Sequence, residues 1–188
     1  MTKDEFYSAW HYFQTLENDM DATSRFVDPR GQEQVHSFEF AKILILTCTE
    51  CESIFKKICK EITGENVSGD IGTYKRTILT KYPGIVLSEV RASRLGKSIK
   101  PFEGWSSGRL EWWNAYQHVK HNRGSYFAEA TYINAVTALS ALYILLFYLS
   151  KIKSFDFDDY NSRYLTSGYS HVATFIDPLK QLPDFEVS

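Results

Sequence analysis

The sequence predicts an all-α fold, an antiparallel bundle of about five helices with a small hairpin or irregular arm. Two observations predict it. Apolar residues recur at three- and four-residue steps through most of the chain, and helix-capping or helix-ending residues stand at the ends of these stretches. With 188 residues, 44% of them hydrophobic, the chain suffices for one sizeable core and is too short for two comfortable domains. We therefore expect a single helical domain over residues 1–188.

The N-terminal half contains the two clearest helical patterns. Thr2 and Glu5 form a capping-box pattern ahead of an apolar repeat, which predicts a helix over residues 3–26. A second, longer helix is predicted over residues 32–62, closed by Gly64. Its apolar stripe consists of Leu44, Thr47, Cys51, Ile54, Ile58 and Ile62.

The middle of the chain changes pattern twice. A shorter helix is expected over residues 70–82, because Pro83 disfavours helical conformation in the residue before it. Residues 85–105 show no helical periodicity, which favours a hairpin or an irregular arm. Helical periodicity resumes near Arg109 and breaks again at residues 122–124.

The last predicted helix contains the most apolar segment of the chain. Ser125 is its expected N-cap, it ends near Lys153, and a tail over residues 154–188 follows. Residues 130–150 carry no charge, and these 21 residues meet the length of a membrane span, about 20 residues. Several polar residues within the segment and the lack of a second such segment favour a buried bundle helix instead. We therefore expect no membrane contact.

Cysteine usage and the N-terminus predict the compartment. The odd number of cysteines, Cys48, Cys51 and Cys59, argues against a disulfide framework, and the first residues show no signal-peptide pattern. We therefore expect a cytoplasmic protein. The C-x-x-C pair lies on the apolar stripe of the second helix, where cysteine acts as a small hydrophobe. No ligand set for a metal or cofactor is recognisable, and we read Asp156, Asp158 and Asp159 as a solvated turn.

Charge is distributed unevenly along the chain. The net charge of −2 excludes a protein that holds nucleic acid through a general positive field. Residues 89–123, however, contain seven basic and three acidic residues, a net charge of +4, which leaves −6 for the remainder. A nucleic-acid site would therefore have to lie on the arm and the helix after it.

The densest polar cluster lies between Trp112 and Arg123. On a helix, Asn114, His118 and His121 fall within about 60° of one another and share a face. A histidine there is suited to general acid or base catalysis near neutral pH. Lys120 and Arg123 are suited to holding a phosphate, and free amides near Ser125 would add an anion site. The alternative is that the histidines only cap or hydrogen-bond within the bundle and that Arg123 pairs with Glu129 or a tail aspartate.

The motif W-W-N-x-Y-x-x-V-K-H-N-R, running into a long Ala- and Leu-rich helix, resembles the HEPN superfamily, especially its abortive-infection-type and uncharacterised bacterial members. The residues that carry the resemblance are Asn114, Lys120, His121, Asn122 and Arg123. The resemblance implies an all-helical bundle, commonly a homodimer, with a role in defence or toxin–antitoxin systems. In the active branches it implies a metal-independent RNA-cleaving site at the dimer cleft, built from an arginine and, after a spacing of four to six residues, a histidine.

The chain departs from that motif at the arginine. His121 matches the family histidine, but Asn114 stands at the approximate arginine position, so Arg109 or Arg123 would have to supply the positive charge. We therefore expect the protein to bind RNA or a nucleotide. If it is an enzyme, we expect a metal-independent endoribonuclease. The alternative is a non-catalytic homodimeric module that binds a protein partner. The candidate residues are His121 and Asn114 for catalysis, and Lys120, Arg123, Asn122, His118 and Arg109 for binding RNA or phosphate.

Overall fold

The computed structural model describes residues 1–92, 94–155 and 184. These residues form an all-α helical bundle with one small hairpin, as the sequence predicts. The α-helices in the described residues are α1 (Lys3–Ala22), α2 (Phe38–Thr63), α3 (Ile71–Lys81), the single turn α4 (Gly104–Ser107), α5 (Glu111–Tyr126) and α6 (Tyr132–Lys153). The hairpin pairs β1 (Val90–Ala92) with β2 (Lys97–Ile99) in antiparallel register. The solvated turn predicted for residues 156–159 lies outside the described residues.

Helix α6 occupies the centre of the bundle. It packs most extensively against α2 and also contacts α1, α5 and β1. Its residues are buried around the whole circumference, which explains why no polar face interrupts the predicted segment. By length and composition α6 is the one helix in the described ranges that is apolar enough to cross a membrane, and 78% of its most apolar window is buried inside the protein. Such burial fits a bundle core. The expected lack of membrane contact and the expected cytoplasmic location stay predictions.

Two of the predicted helices have the expected caps. In α1 the Thr2 side chain accepts a hydrogen bond from the Glu5 backbone N–H at 3.2 Å, and Glu5 accepts one from the Thr2 N–H at 2.7 Å. The end predicted at residue 26 is a short 3-10 turn, Thr23–Arg25. Helix α2 ends at Gly64, whose φ of +79° lies in the left-handed region that glycine adopts without strain.

The arm folds onto its own bundle. Its apolar residues Val90, Ala92, Leu95 and Ile99 are buried in the main core. Two ion pairs join its charged residues to the N-terminal half: Arg94 to Asp21 at 2.8 Å, and Lys97 to Glu33. Part of the basic charge predicted for residues 89–123 is therefore already paired.

The predicted starts of α2 and α6 were wrong for one physical reason. Helix α2 begins at Phe38 rather than near residue 32, because residues 33–36 pair with the start of α6. The Val35 carbonyl accepts a hydrogen bond from the Tyr132 N–H at 2.9 Å, and the Glu33 carbonyl accepts one from the Ile133 N–H at 3.0 Å. This long-range pairing takes up the first amides of α6. Its N-cap is Thr131, not Ser125.

The three cysteines are free and fully buried. Burial raises the pKa of the Cys48 and Cys51 thiols well above the usual value and that of Cys59 to about 11. A thiol must lose its proton to act as a nucleophile or metal ligand. The cysteines therefore contribute packing on the apolar stripe, as predicted.

Glu17 is a carboxylic acid side chain that is buried between α1 and α6. Glu17 is 8% exposed and lies near Asp21 and Tyr143. Burial, with a smaller contribution from the Asp21 charge, raises the pKa of Glu17 well above its usual value. A folded-state pKa above the unfolded value favours folding at low pH, and this contribution is lost as pH rises toward the folded pKa.

We therefore expect Glu17→Gln to stabilise the protein increasingly as pH rises. The free energy of unfolding, measured by urea titration, should differ little between variant and wild type near pH 4. The difference should then grow by up to about 1.4 kcal/mol per pH unit in favour of the variant. Glu103→Gln, at an exposed carboxylate, gives the reference for losing one charge. A difference that is the same at pH 4 and pH 8 would contradict the burial of an ionisable Glu17.

Candidate functional site

Helix α5 has a buried inner face and a solvent-accessible outer face. The inner face consists of the buried residues Trp112, Trp113, Ala115, Tyr116 and Val119. Trp112 is further fixed by a hydrogen bond from its indole N–H to the Pro101 carbonyl at 2.8 Å. We define the outer face of α5 as Asn114, Gln117, His118 and His121, which are half-buried or exposed. The predicted common face of Asn114 and the two histidines is thus present and solvent-accessible.

His118 is oriented by a carboxylate. Its Nδ1 lies 2.8 Å and 3.1 Å from the two carboxylate oxygens of Glu129, and its ring stacks on Tyr126 with 4.6 Å between centroids. A carboxylate only accepts hydrogen bonds, so Nδ1 carries a proton, and the lone pair of the neutral form of the ring would be on Nε2. No group in the described part of the chain bonds to Nε2. His118 therefore has the arrangement of a positioned base.

His121 lies one turn further along the same face. It is exposed and has neither a hydrogen-bond nor an ion-pair partner among residues 1–92, 94–155 and 184. Residues three apart on a helix are neighbours, with about 5–6 Å between their Cβ atoms. The two histidines therefore start from neighbouring positions on an accessible surface.

Helix α5 breaks directly after His121. Asn122 has non-helical backbone angles, φ −150° and ψ 68°, at the break that the sequence predicts. The Asn122 side chain accepts a hydrogen bond from the Ser125 N–H at 3.3 Å and so caps the last turn of α5. The expected anion site near Ser125 is therefore not formed, because that amide is occupied and α6 starts later.

The two predicted phosphate-binding cations point to neighbours of their own. Lys120 donates to the Tyr116 hydroxyl oxygen at 3.0 Å, a bond that raises the pKa of Lys120. The Arg123 guanidinium lies over the exposed Phe38 ring, 5.9 Å from its centroid. Glu129, which sequence reasoning offered to Arg123, pairs with His118 instead. Both cations stay exposed and keep their charge.

Arg109 and Asn114 line a cleft between α3 and α5, whereas neither histidine lines it. Its volume is about 580 Å³, and its lining also includes Lys75 and Gln117. His121 follows Asn114 by seven positions, which corresponds to about 10 Å along the helix axis. The seven candidate residues thus divide between this cleft and the C-terminal end of α5.

Four residues of this region were not predicted as site residues. Glu129 and Tyr126 follow the break in α5, beyond which helical periodicity no longer predicts the direction of a side chain. Lys75 comes from a different helix. Gln117 was also missed, although its three-residue step from Asn114 places it on the same face.

Comparison with known proteins identifies no relative, so the geometry of the site is the basis for assigning a function. No family model, no curated protein and no solved structure matches the chain. The outer face of α5 carries two histidines three positions apart, one of them oriented by a carboxylate, with exposed cations close in sequence. Within the described residues, no group of three or more His, Cys, Asp or Glu side chains is arranged to hold a metal ion.

Proposed function

We propose that the protein binds single-stranded RNA on the outer face of α5 and cleaves it by acid–base chemistry of two histidines. The observation that carries the proposal is the pairing of His118 with Glu129 beside the exposed His121. A carboxylate-oriented imidazole next to a second, accessible imidazole supplies both a base and an acid. The resemblance of this segment to the HEPN superfamily supports the same activity.

The reaction uses the RNA's own 2′-hydroxyl as the nucleophile. His118 Nε2 takes the proton from the 2′-hydroxyl, and the 2′-oxygen forms a bond to the adjacent phosphorus. The bond from phosphorus to the 5′-oxygen of the next nucleotide breaks, and protonated His121 gives that oxygen a proton. The products are a 2′,3′-cyclic phosphate and a 5′-hydroxyl end. This chemistry assigns the base to His118 and keeps His121 as the acid.

Charge develops on the phosphate during this reaction and needs a cation nearby. Arg123 and Lys120 flank His121 in sequence, and both are exposed. Arginine can hold a phosphate through two parallel hydrogen bonds, whereas lysine acts as a point charge. We assign this role first to Arg123, because the Lys120 ammonium group is hydrogen-bonded to Tyr116.

The test is cleavage of a short unstructured RNA in the presence of EDTA, with analysis of the product ends. Wild type should cleave and leave 2′,3′-cyclic phosphate ends. His118→Ala and His121→Ala should each lower the rate at least about 100-fold, the usual contribution of one acid or base. Arg30→Ala, at an exposed cation outside α5, is the matched surface control and should cleave like wild type.

Two results would contradict the mechanism. Cleavage of an RNA that carries a single 2′-deoxynucleotide at the scissile position would exclude the 2′-hydroxyl as nucleophile. Equal rates for wild type and the variant lacking both histidines would exclude the outer face of α5 as the site. Binding should also weaken steeply with salt, since phosphate contacts release counterions.

A non-catalytic homodimeric module is the second candidate, and one observation favours it. Phe38 is 71% exposed and packs against Phe127 with 4.6 Å between ring centroids. Such aromatic groups are enriched in the cores of protein interfaces. They form a compact patch at the start of α2.

If this patch is a dimer interface, sedimentation will show a wild-type dimer and a Phe38→Asp monomer. Phe26→Asp changes a residue that is 87% exposed and is not part of the patch, so it should leave the dimer intact. A wild-type monomer at all concentrations tested would remove this candidate. Dimerisation without any RNA binding would favour it over the nuclease.

A further inference from the structure

We propose that the cleft between α3 and α5 binds a nucleoside monophosphate unit, either free or as one unpaired residue of an RNA strand. The RNA form of the ligand rests on the proposed function, whereas the free form does not. The cleft volume of about 580 Å³ falls in the range of small-molecule sites, roughly 300–1,000 Å³. Its aromatic floor, its polar side chains and its two cations favour a nucleotide.

The floor of the cleft is rigid and aromatic. Tyr74, Trp105 and Trp113 all line it, and each packs against Phe55 with 5.7 Å, 5.7 Å and 5.9 Å between ring centroids. The two tryptophans are only 3% and 5% exposed, so they offer edges and short strips of ring rather than whole faces. Such a floor does not have to be ordered when a planar base enters.

Polar groups on the floor and walls match the edge of a base. The half-buried side chains of Asn114 and Gln117 project from the same face of α5, and each carboxamide both donates and accepts hydrogen bonds. The Tyr74 hydroxyl is buried at the floor of the cleft and is directed at the Gly69 backbone. Unpaired RNA bases are recognised by hydrogen bonds of this kind on their exposed edges.

The charges of the cleft favour an anion. Its acids are already engaged: Glu52 pairs with Lys56 at 2.7 Å, and Asp70 accepts the Thr73 N–H at 2.8 Å as the N-cap of α3. Of the cations, Lys75 donates only to the uncharged Gly108 carbonyl, at 3.3 Å.

Arg109 is the second cation of the cleft. It has no ion-pair partner in the described residues and is exposed. Its backbone is held by close packing, because a Cβ on Gly104 would clash with the Arg109 carbonyl oxygen. Lys75 and Arg109 are therefore positioned to hold the phosphate at the mouth of the cleft.

The cleft also lies in line with the two histidines. Gln117 precedes His121 by four residues, about 6 Å along the axis of α5. A strand whose base occupies the cleft can therefore extend along the outer face of α5 toward His118 and His121. The cleft would then hold a nucleotide next to the cleaved bond.

The test titrates the full-length protein with AMP, GMP, CMP and UMP, followed by calorimetry and by the fluorescence of the cleft tryptophans. At least one monophosphate should bind saturably. Arg109→Ala and Asn114→Ala should each weaken binding about tenfold or more, and Arg109→Lys should weaken it less than Arg109→Ala. Arg30→Ala is the matched control for loss of a surface charge, and circular dichroism checks that each variant is folded.

A second arm separates the phosphate contact from the base contact. Replacing the monophosphate by the nucleoside should weaken binding to wild type, and the same replacement should have a smaller effect in Arg109→Ala. The proposal would be overturned if no monophosphate binds saturably, or if the affinity is unchanged in both cleft variants.

A single-stranded RNA arm distinguishes this proposal from the proposed function. Mononucleotide binding without RNA binding would support the cleft as a free-nucleotide site while the RNA function fails. RNA cleavage that depends on the histidines, with no mononucleotide binding and no effect of Asn114→Ala, would overturn the cleft and leave the RNA function standing. Loss of both mononucleotide and RNA binding in Arg109→Ala would support the cleft as part of the RNA path.

Discussion

The fold depends on burying α6, a helix with no polar face. Each fully buried large aliphatic side chain gains roughly 1.5–3 kcal/mol of transfer free energy, and α6 carries many of them, including Leu145, Leu146 and Leu149. A helix that is apolar all round needs cover on every side, which α1, α2, α5 and the arm supply. Its first amides need partners as well, and the segment before α2 supplies them. One constraint thus explains the position of most elements.

The same constraint creates the candidate site. Helix α5 has to turn its aromatic inner face to the core, and this fixes the helix in rotation about its axis. Its polar residues then form one accessible row that begins in the cleft beside α3 and ends at the break after His121. Past the break the chain turns back before α6, so Glu129 reaches His118. The tight packing that stabilises the bundle therefore also pre-orients the polar groups, and ligand binding would not have to order them.

Local sequence patterns predicted most of the helices and the shared face of α5, because periodicity and caps are short-range signals. Predictions failed where contacts distant in sequence decide. No local pattern indicates the pairing of His36 with Thr131, which precedes α2; the local signal for the start of α2 is its N-cap, Ser37. Similarly, the sequence placed His118 and His121 on one face but could not assign Glu129 to His118, since a non-helical residue intervenes. Lys75 joins the cleft only through the packing of α3 beside α5.

We propose above all that RNA binds to the outer face of α5. This face stays accessible because the inner face of α5 packs on the core around the buried α6. The most direct measurement is a nuclear magnetic resonance titration of the isotope-labelled protein with a short single-stranded RNA at low salt. We predict saturable shifts of the Asn114 and Gln117 side-chain amides and of the His118 and His121 ring signals, with the β1–β2 hairpin unaffected. Shifts confined to the β1–β2 hairpin, or no shifts at RNA concentrations that saturate other single-strand binders, would contradict this proposal.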